Sequence, residues 1–374
     1  MRSQDQERRS CVRQVKQSWT KRTLAAGMVA VCAGTGSASA EDANTPIVLT
    51  KMGAFAFSGK TINDKAGKTL HCDHGYAQFQ IPEKPRKLPI VFWHSASTIT
   101  WESTPDGRDG FQSIFLRRGF PIYIIDLPRQ GRAGNGCEEL LYKPAIGRDQ
   151  STFAGWRFGT WNPPADPEFF PGVQVPTDNP AWLDQVLRAR YPESSGSDAV
   201  RRESSSVQAL LQKIGGGIIV THSGSGIPGW ATGAIGADVK AIVSYEPSQF
   251  IFPAGQLPTP LTNSADGAVI DPGIEVPVEE FKNLTKKPLQ LIYGDYVPDK
   301  PGSLAAPERR RITMVYGQAF VDLINSMGGD AQLVHLPKIG IKGNTHLLML
   351  DLNNVQIADQ LSLFLKDKGL DARP

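Results

Sequence analysis

Residues 218–226 read Ile218-Ile219-Val220-Thr221-His222-Ser223-Gly224-Ser225-Gly226. An apolar run of strand length leads straight into small and polar residues, and Gly226–Ile235 then carries a helical pattern. A strand that turns at once into a helix leaves little room, so the residues two before and two after the apex must be small. Ser223 stands at that apex, with Thr221 and Ser225 at the flanking positions. Such a bend lifts a serine hydroxyl into the open at the C-terminal edge of the strand. The helix behind it offers a backbone N–H and a favourable dipole to a developing oxyanion. A phosphate-cradling loop would need Gly-Lys-Ser/Thr, which is absent. A dinucleotide fingerprint would sit on the first strand of its fold, and this segment comes late.

Working outward, short apolar runs bounded by Gly, Pro or polar residues predict buried strands at Leu88–Trp93, Pro121–Leu127, Gly217–Thr221, Val239–Tyr245, Pro288–Tyr293 and Ala331–Leu336. Helical patterns fall between several of them, at Gly110–Arg118, Glu203–Lys213, Gly226–Ile235, Arg309–Met327 and Asn354–Asp367. The alternation predicts an α/β fold, a mainly parallel sheet with helices on both faces. Ile47–Phe57 and Tyr76–Ile81 read as an antiparallel lead-in. Residues 142–202 interrupt the alternation. They are rich in Pro and carry Phe153, Trp156, Phe158, Trp161, Phe169, Phe170 and Trp182. Loops this long are functional or disordered, and so many aromatics argue against disorder. The expectation is a cap inserted over the sheet, its rings either lining a substrate cavity or packing the cap onto the core. Phe252–Pro277 reads as a second, Pro-rich surface loop.

These features resemble the α/β-hydrolase family over most of the chain. Trp93-His94-Ser95-Ala96 is similar to that family's strand-three end, His-Gly-x-x, with Ser95 where Gly is usual. Asp126-Leu127-Pro128-Arg129-Gln130-Gly131 resembles its strand-four end, Asp-x-Pro-x-x-Gly. Thr104-Pro105-Asp106-Gly107-Arg108, Tyr245-Glu246-Pro247 and Gly343-Asn344-Thr345-His346 resemble a group of secreted bacterial carboxylesterases whose triad acid is a Glu after the sixth strand. The resemblance implies a Ser nucleophile, a His base and an acid in that chain order.

Serine needs a base at neutral pH. Of six histidines, His71 and His74 come too early, and His94 sits where the family uses His structurally. His222 adjoins Ser223, so along a strand it points to the other face. His335 lies inside an apolar run, which leaves His346 in the loop before the last helix as the expected base. For the acid, Glu246 follows the sixth strand, and Asp295 and Asp299 follow the seventh, where most of the family places it. Glu246 is favoured, and the Asp pair remains the alternative. The oxyanion hole is expected from the backbone N–H of Gly224 and one from Ser95 or Ala96.

Residues 1–40 carry seven Lys/Arg against two Asp/Glu, then the apolar stretch Leu24–Ala33 and Ala38-Ser39-Ala40. This is the three-part pattern of a secretory signal, too short to span a bilayer and with cleavage expected after Ala40. A secreted or periplasmic enzyme with no stable membrane anchor follows. The remaining 33 basic and 35 acidic residues give no electrostatic case for nucleic acid. Beyond the signal only Cys72 and Cys137 remain, and in an oxidising compartment they read as one disulfide. The rival is a metal site at His71-Cys72-Asp73-His74, whose spacing fits no zinc pattern, so no metal is expected.

The expected function is therefore hydrolysis of a small, apolar or aryl carboxylic ester through an acyl-enzyme, without a cofactor. The same machinery could open a lactone or cut an amide. A catalytically inactive binding protein on the same fold is the alternative of another class. The sequence sets no oligomeric state.

Overall fold

Alternation along the strands decides the layering. The computed structural model describes residues 45–95, 97–139, 143–190 and 198–374. The apolar runs become one eight-stranded sheet. Its strands are β1 (Leu49–Phe57), β2 (Gly75–Pro82), β3 (Ile90–Trp93), β4 (Ile122–Asp126), β5 (Gly217–His222), β6 (Val239–Tyr245), β7 (Pro288–Tyr293) and β8 (Asp330–His335). They lie in the order β1-β2-β4-β3-β5-β6-β7-β8. β2 pairs antiparallel with β1 and β4, and the other pairs are parallel. The longer helices are α1 (Phe111–Arg117), α2 (Arg148–Gly155), α3 (Pro180–Arg188), α4 (Ala199–Ile214), α5 (Gly226–Ala234), α6 (Ala305–Ser326) and α7 (Asn354–Asp367).

Successive strand residues point to opposite faces, and each face has its own core. Ile90, Phe92, Ile218, Val220 and Val243 pack with Phe115 of α1 and Leu361 of α7. Val91, Trp93, Ile219 and Ile242 pack with Leu210 of α4, Trp230 of α5 and Phe320 of α6. Burial on both faces is why the central strands read as unbroken apolar runs rather than alternating ones. The register aligns the strand ends that matter: Trp93 lies beside Thr221, Tyr245 beside His222 and Ile292, and Tyr293 beside His335. The loops leaving β3, β5, β6, β7 and β8 therefore gather along one carboxyl edge of the sheet, where open α/β sheets bind ligands.

Phe252–Pro277 departs from the expected loop. Phe250–Pro253 pairs with Gly273–Val276, and Leu261–Thr262 with Val269–Ile270. The prolines and glycines punctuate short strands, and Phe250 and Phe252 pack on Phe320 of α6. Residues 143–190 form α2, α3 and a pair of two-residue strands, Gly159–Thr160 and Glu168–Phe169. Phe153 meets Phe158, Trp161 and Phe169 edge-on at 5.5, 5.8 and 5.1 Å. Phe153, Phe158 and Trp182 are buried in the same core as α1 and α7. Trp93, Trp101 and Trp230 are likewise buried core side chains.

In the segment His71–His74, Cys72 is joined to Cys137 in a disulfide. The Asp73 carboxylate receives both arms of the Arg129 fork at 2.8 and 3.0 Å. Among the described residues no helix is long and apolar enough to cross a membrane. The expected signal segment and its cleavage point at Ala40 lie outside the described residues, as does Ala96.

The disulfide closes a 65-residue separation. Removing it should destabilise the fold by about 2–4 kcal/mol, chiefly by freeing the unfolded chain. Urea unfolding of the double variant Cys72→Ala/Cys137→Ala measures this, and an unchanged midpoint would show that the link is dispensable.

Candidate active site

The turn between β5 and α5 is as tight as its residues demand. Ser223 adopts φ +58°, a left-handed conformation rare for a side-chain-bearing residue. It opens the single 3-10 turn Ser223–Ser225 before α5. α5 lies close against β5, and a Cβ on Gly229 would meet the Thr221 methyl at 2.7 Å. The flanking Thr221 and Ser225, where glycine is usual, are accommodated by hydrogen bonds. Thr221 Oγ1 donates to Ser244 Oγ at 2.7 Å. Ser225 Oγ accepts the His222 N–H at 2.9 Å and donates to the Trp93 carbonyl at 2.9 Å, or to that of His222 at 2.8 Å.

The structure brings Ser223, His346 and Glu246 together across 123 and 100 residues of sequence. Ser223 Oγ lies 2.9 Å from His346 Nε2, and His346 Nδ1 lies 3.2 Å from Glu246 Oε2. With the proton on Nδ1, the ring donates to Glu246 and accepts from the serine hydroxyl. The loop carrying His346 is fastened from several sides. Asp351 accepts from Thr345 N–H, Thr345 Oγ1 and Asn344 Nδ2 at 2.8, 2.8 and 2.9 Å. The His346 N–H donates to the Trp156 carbonyl at 2.9 Å, and the Trp156 ring stacks near the imidazole. His222 Nε2 donates to the His346 carbonyl at 2.8 Å. A Cβ at Gly294 would strike the carbonyls of Asn344 and Thr345 at 2.7 and 2.8 Å, so this approach needs glycine.

Glu246 is fully buried, with φ +53°. Its Oε1 accepts from the Gly294 N–H at 2.6 Å and from Arg157 Nη2 at 2.7 Å. Arg310 Nε stands 3.1 Å from Oε2, and its Nη1 donates to the Glu246 and Pro247 carbonyls at 3.0 and 3.2 Å. Burial alone would push this carboxyl up, but Arg157, Arg310 and His346 outweigh it and hold it well below the usual range. His346 is also held well below its usual value, by burial and then by Arg310, against the pull of Glu246. Arg310 Nη2 lies 3.2 Å from Nδ1. It cannot donate there while Nδ1 carries the proton directed at Glu246, so the two contacts belong to different tautomers.

The alternative acids lie elsewhere. Asp295 is half-buried, and its carboxylate accepts from the N–H groups of Tyr296 and Gly343 at 2.7 Å each. Asp299 is exposed. His94 Nε2 donates to Asp126 Oδ1 at 2.8 Å, and Arg132 holds Oδ2 at 2.5 Å, which ties the end of β3 to that of β4. Ser95, just beyond, lines a cleft with Ser223 and His222, and Gly224 follows Ser223 on the exposed side of the turn. The cleft is narrow, about 40 Å³, and its other walls include Ile99, Trp156, Val186, Arg190, Leu347 and Leu350.

No protein-family model matches the chain. Its sequence is 26% identical over 315 residues to a probable secreted lipase, phiG, of a fungal species (strain ATCC 74256), covering 76% of this chain and 83% of that one. A solved structure of a novel bacterial esterase is 27% identical and superposes with a TM-score of 0.68, covering 87% of this chain and 98% of that one. The strand order, the strand–turn–helix at Ser223 and these likenesses agree. The chain has the α/β-hydrolase fold. Three neighbours of this site were not singled out from the sequence as contributors: His222 as a support for His346, Arg157 and Arg310. A signal existed for the arginines. Arg309-Arg310-Arg311 falls in the first turns of α6, where cations oppose the helix dipole, and Arg157 sits between Trp156 and Phe158.

Asp351→Ala leaves three buried donors without their acceptor. It should lower stability by about 2–4 kcal/mol and reduce kcat more than it raises KM. Urea unfolding and steady-state kinetics check both, and a variant unchanged in either would show that the loop holds His346 without Asp351.

Proposed function

We propose that this hydrolase cleaves carboxylic esters through an acyl-enzyme on Ser223. The observation that carries the reading is the continuous contact from Ser223 Oγ through the His346 ring to the buried Glu246 carboxylate. In the proposed cycle His346 Nε2 takes the hydroxyl proton as Oγ attacks the ester carbonyl. The oxyanion is received by the Gly224 N–H with a second amide from Ser95 or Ala96. His346 returns the proton to the departing alcohol. Water then enters, gives its proton to the same nitrogen, and releases the acid and the serine. Glu246 keeps the imidazole in the working tautomer and offsets its charge in the transition state. The likeness to a protein named a lipase and another named an esterase supports the ester as substrate.

The narrow cleft, walled in part by Ile99, Trp156, Val186, Leu347 and Leu350, favours a small apolar or aryl acyl group. In this reading residues 143–190 act as a cap that is a fixed wall rather than a swinging lid. Supporting it, the Gln174 N–H donates to the Gly343 carbonyl at 2.8 Å and the Leu352 N–H to the Gln174 carbonyl at 2.7 Å. Secretion, with residues 1–40 removed as a signal, accords with the disulfide and with the relative named as secreted.

Ser223→Ala and His346→Ala should each lower kcat on a short aryl ester by about four to six orders of magnitude. A serine-directed phosphonate should label the wild type and not Ser223→Ala. Glu246→Gln should lose about two to four orders, and Asp295→Asn should stay within about tenfold of wild type. The reverse ranking would move the acid's role to Asp295. A panel of esters, lactones and amides fixes the bond that is cut.

A further inference from the structure

Two guanidiniums from distant parts of the chain meet one carboxylate. Arg157 comes from the inserted segment and Arg310 from α6, and both reach Glu246 in the interior. Arg157 and Glu246 are fully buried, and the Arg310 side chain is 10% exposed. A triad acid needs its negative charge to face the imidazole. Here that charge is matched twice over before the imidazole becomes charged. The arrangement is also costly. Arg157 holds a left-handed backbone, φ +61°, and its Nη1 is buried with no hydrogen-bond partner among the described residues. A buried cation with an unfilled donor is a poor way to gain stability.

We propose that Arg157 and Arg310 are paired positioning residues that hold Glu246 ionised and extend this hydrolase's activity into acid. The inference rests on the triad reading above. Arg310 is the closer of the two to the ring, with Nη2 3.2 Å from Nδ1, so its charge bears on the imidazole directly. Arg157 acts through Glu246, and it also fixes the neighbouring loop by donating to the Asp295 carbonyl at 2.9 Å. A positive charge beside the ring opposes its protonation, so the neutral, proton-accepting form persists to lower pH.

The other groups around the ring do not undo this. His222, with its ring centre 4.6 Å from that of His346, is pushed down to about 4 by burial and is neutral near pH 6. Arg190 lies over the Trp156 ring, 4.9 Å from its centre, and adds a positive charge behind that ring. Asp295 directs its carboxylate to Gly343 and Tyr296. Burial pushes Asp351 up to about 7, so at acid pH it is mostly protonated and adds little negative charge. The Tyr293 hydroxyl donates to the Pro247 carbonyl and burial keeps it protonated.

The test is the pH dependence of kcat/KM on a short aryl ester. In the wild type the acid limb should fall below the ordinary histidine value of about 6.5. An acid limb at or above that value overturns the proposal without any variant. Arg310→Met should move the limb to higher pH by about one unit or more with KM little changed. Arg157→Met should move it the same way by less. Arg310→Lys keeps the charge and should keep the limb near wild type even if kcat drops. A uniform loss of kcat in Arg310→Met and Arg157→Met with the limb unmoved would make the arginines merely structural and refute the proposal. Glu246→Gln separates the two readings. If it loses activity and the limb of the arginine variants stays put, the triad stands and the arginine role falls. If Glu246→Gln is fully active, the triad reading itself fails.

Discussion

A single buried negative charge organises this molecule. Glu246 has no solvent, and an isolated carboxylate in that position would take up a proton rather than stay ionised. It stays ionised because partners arrive from separate elements: the Gly294 N–H after β7, Arg157 from the insertion, Arg310 from α6 and the ring of His346 from the loop after β8. Each partner fixes the element that carries it. The insertion and α6 are thereby held to the carboxyl edge of the sheet by the same carboxylate that holds the imidazole. A change in how the insertion sits would reach Glu246 through Arg157.

The turn at Ser223 meets a second constraint by a different route. Its flanking residues are usually glycine for want of space. Here they carry hydroxyls that bond to Ser244, Trp93 and His222, so the added atoms become ties between β3, β5 and β6. Positive φ values at Ser223, Glu246 and Arg157 place backbone strain at three points around one cluster. Strain of this kind persists only where the surroundings overdetermine the conformation, and the bonds around these residues supply that.

Much of the fold was legible because burial on both faces of a parallel sheet leaves compact apolar runs. Val239–Tyr245, Pro288–Tyr293 and Asn354–Asp367 emerge with the boundaries expected of them. Phe252–Pro277 was misread because Pro and Gly signal turns, and two- to four-residue strands between turns leave almost no periodic pattern. The aromatics of residues 142–202 could have faced a cavity or a core, since the same rings suit both. The fold puts Phe153, Phe158 and Trp182 in the core and Trp156 against the cleft.

The sequence by itself determined the order of the main-sheet strands and of the helices between them, the tight turn that exposes Ser223 and a short set of histidines and acids near strand ends. These are local properties, set by periodicity and by the size of adjacent residues. Only the tertiary structure decided that Glu246, and not Asp295, faces His346, that His222 turns back to support the same loop, and that two arginines 153 residues apart close on one carboxylate. Such contacts depend on which loops the sheet register brings to a common edge, and no spacing along the chain encodes that distance.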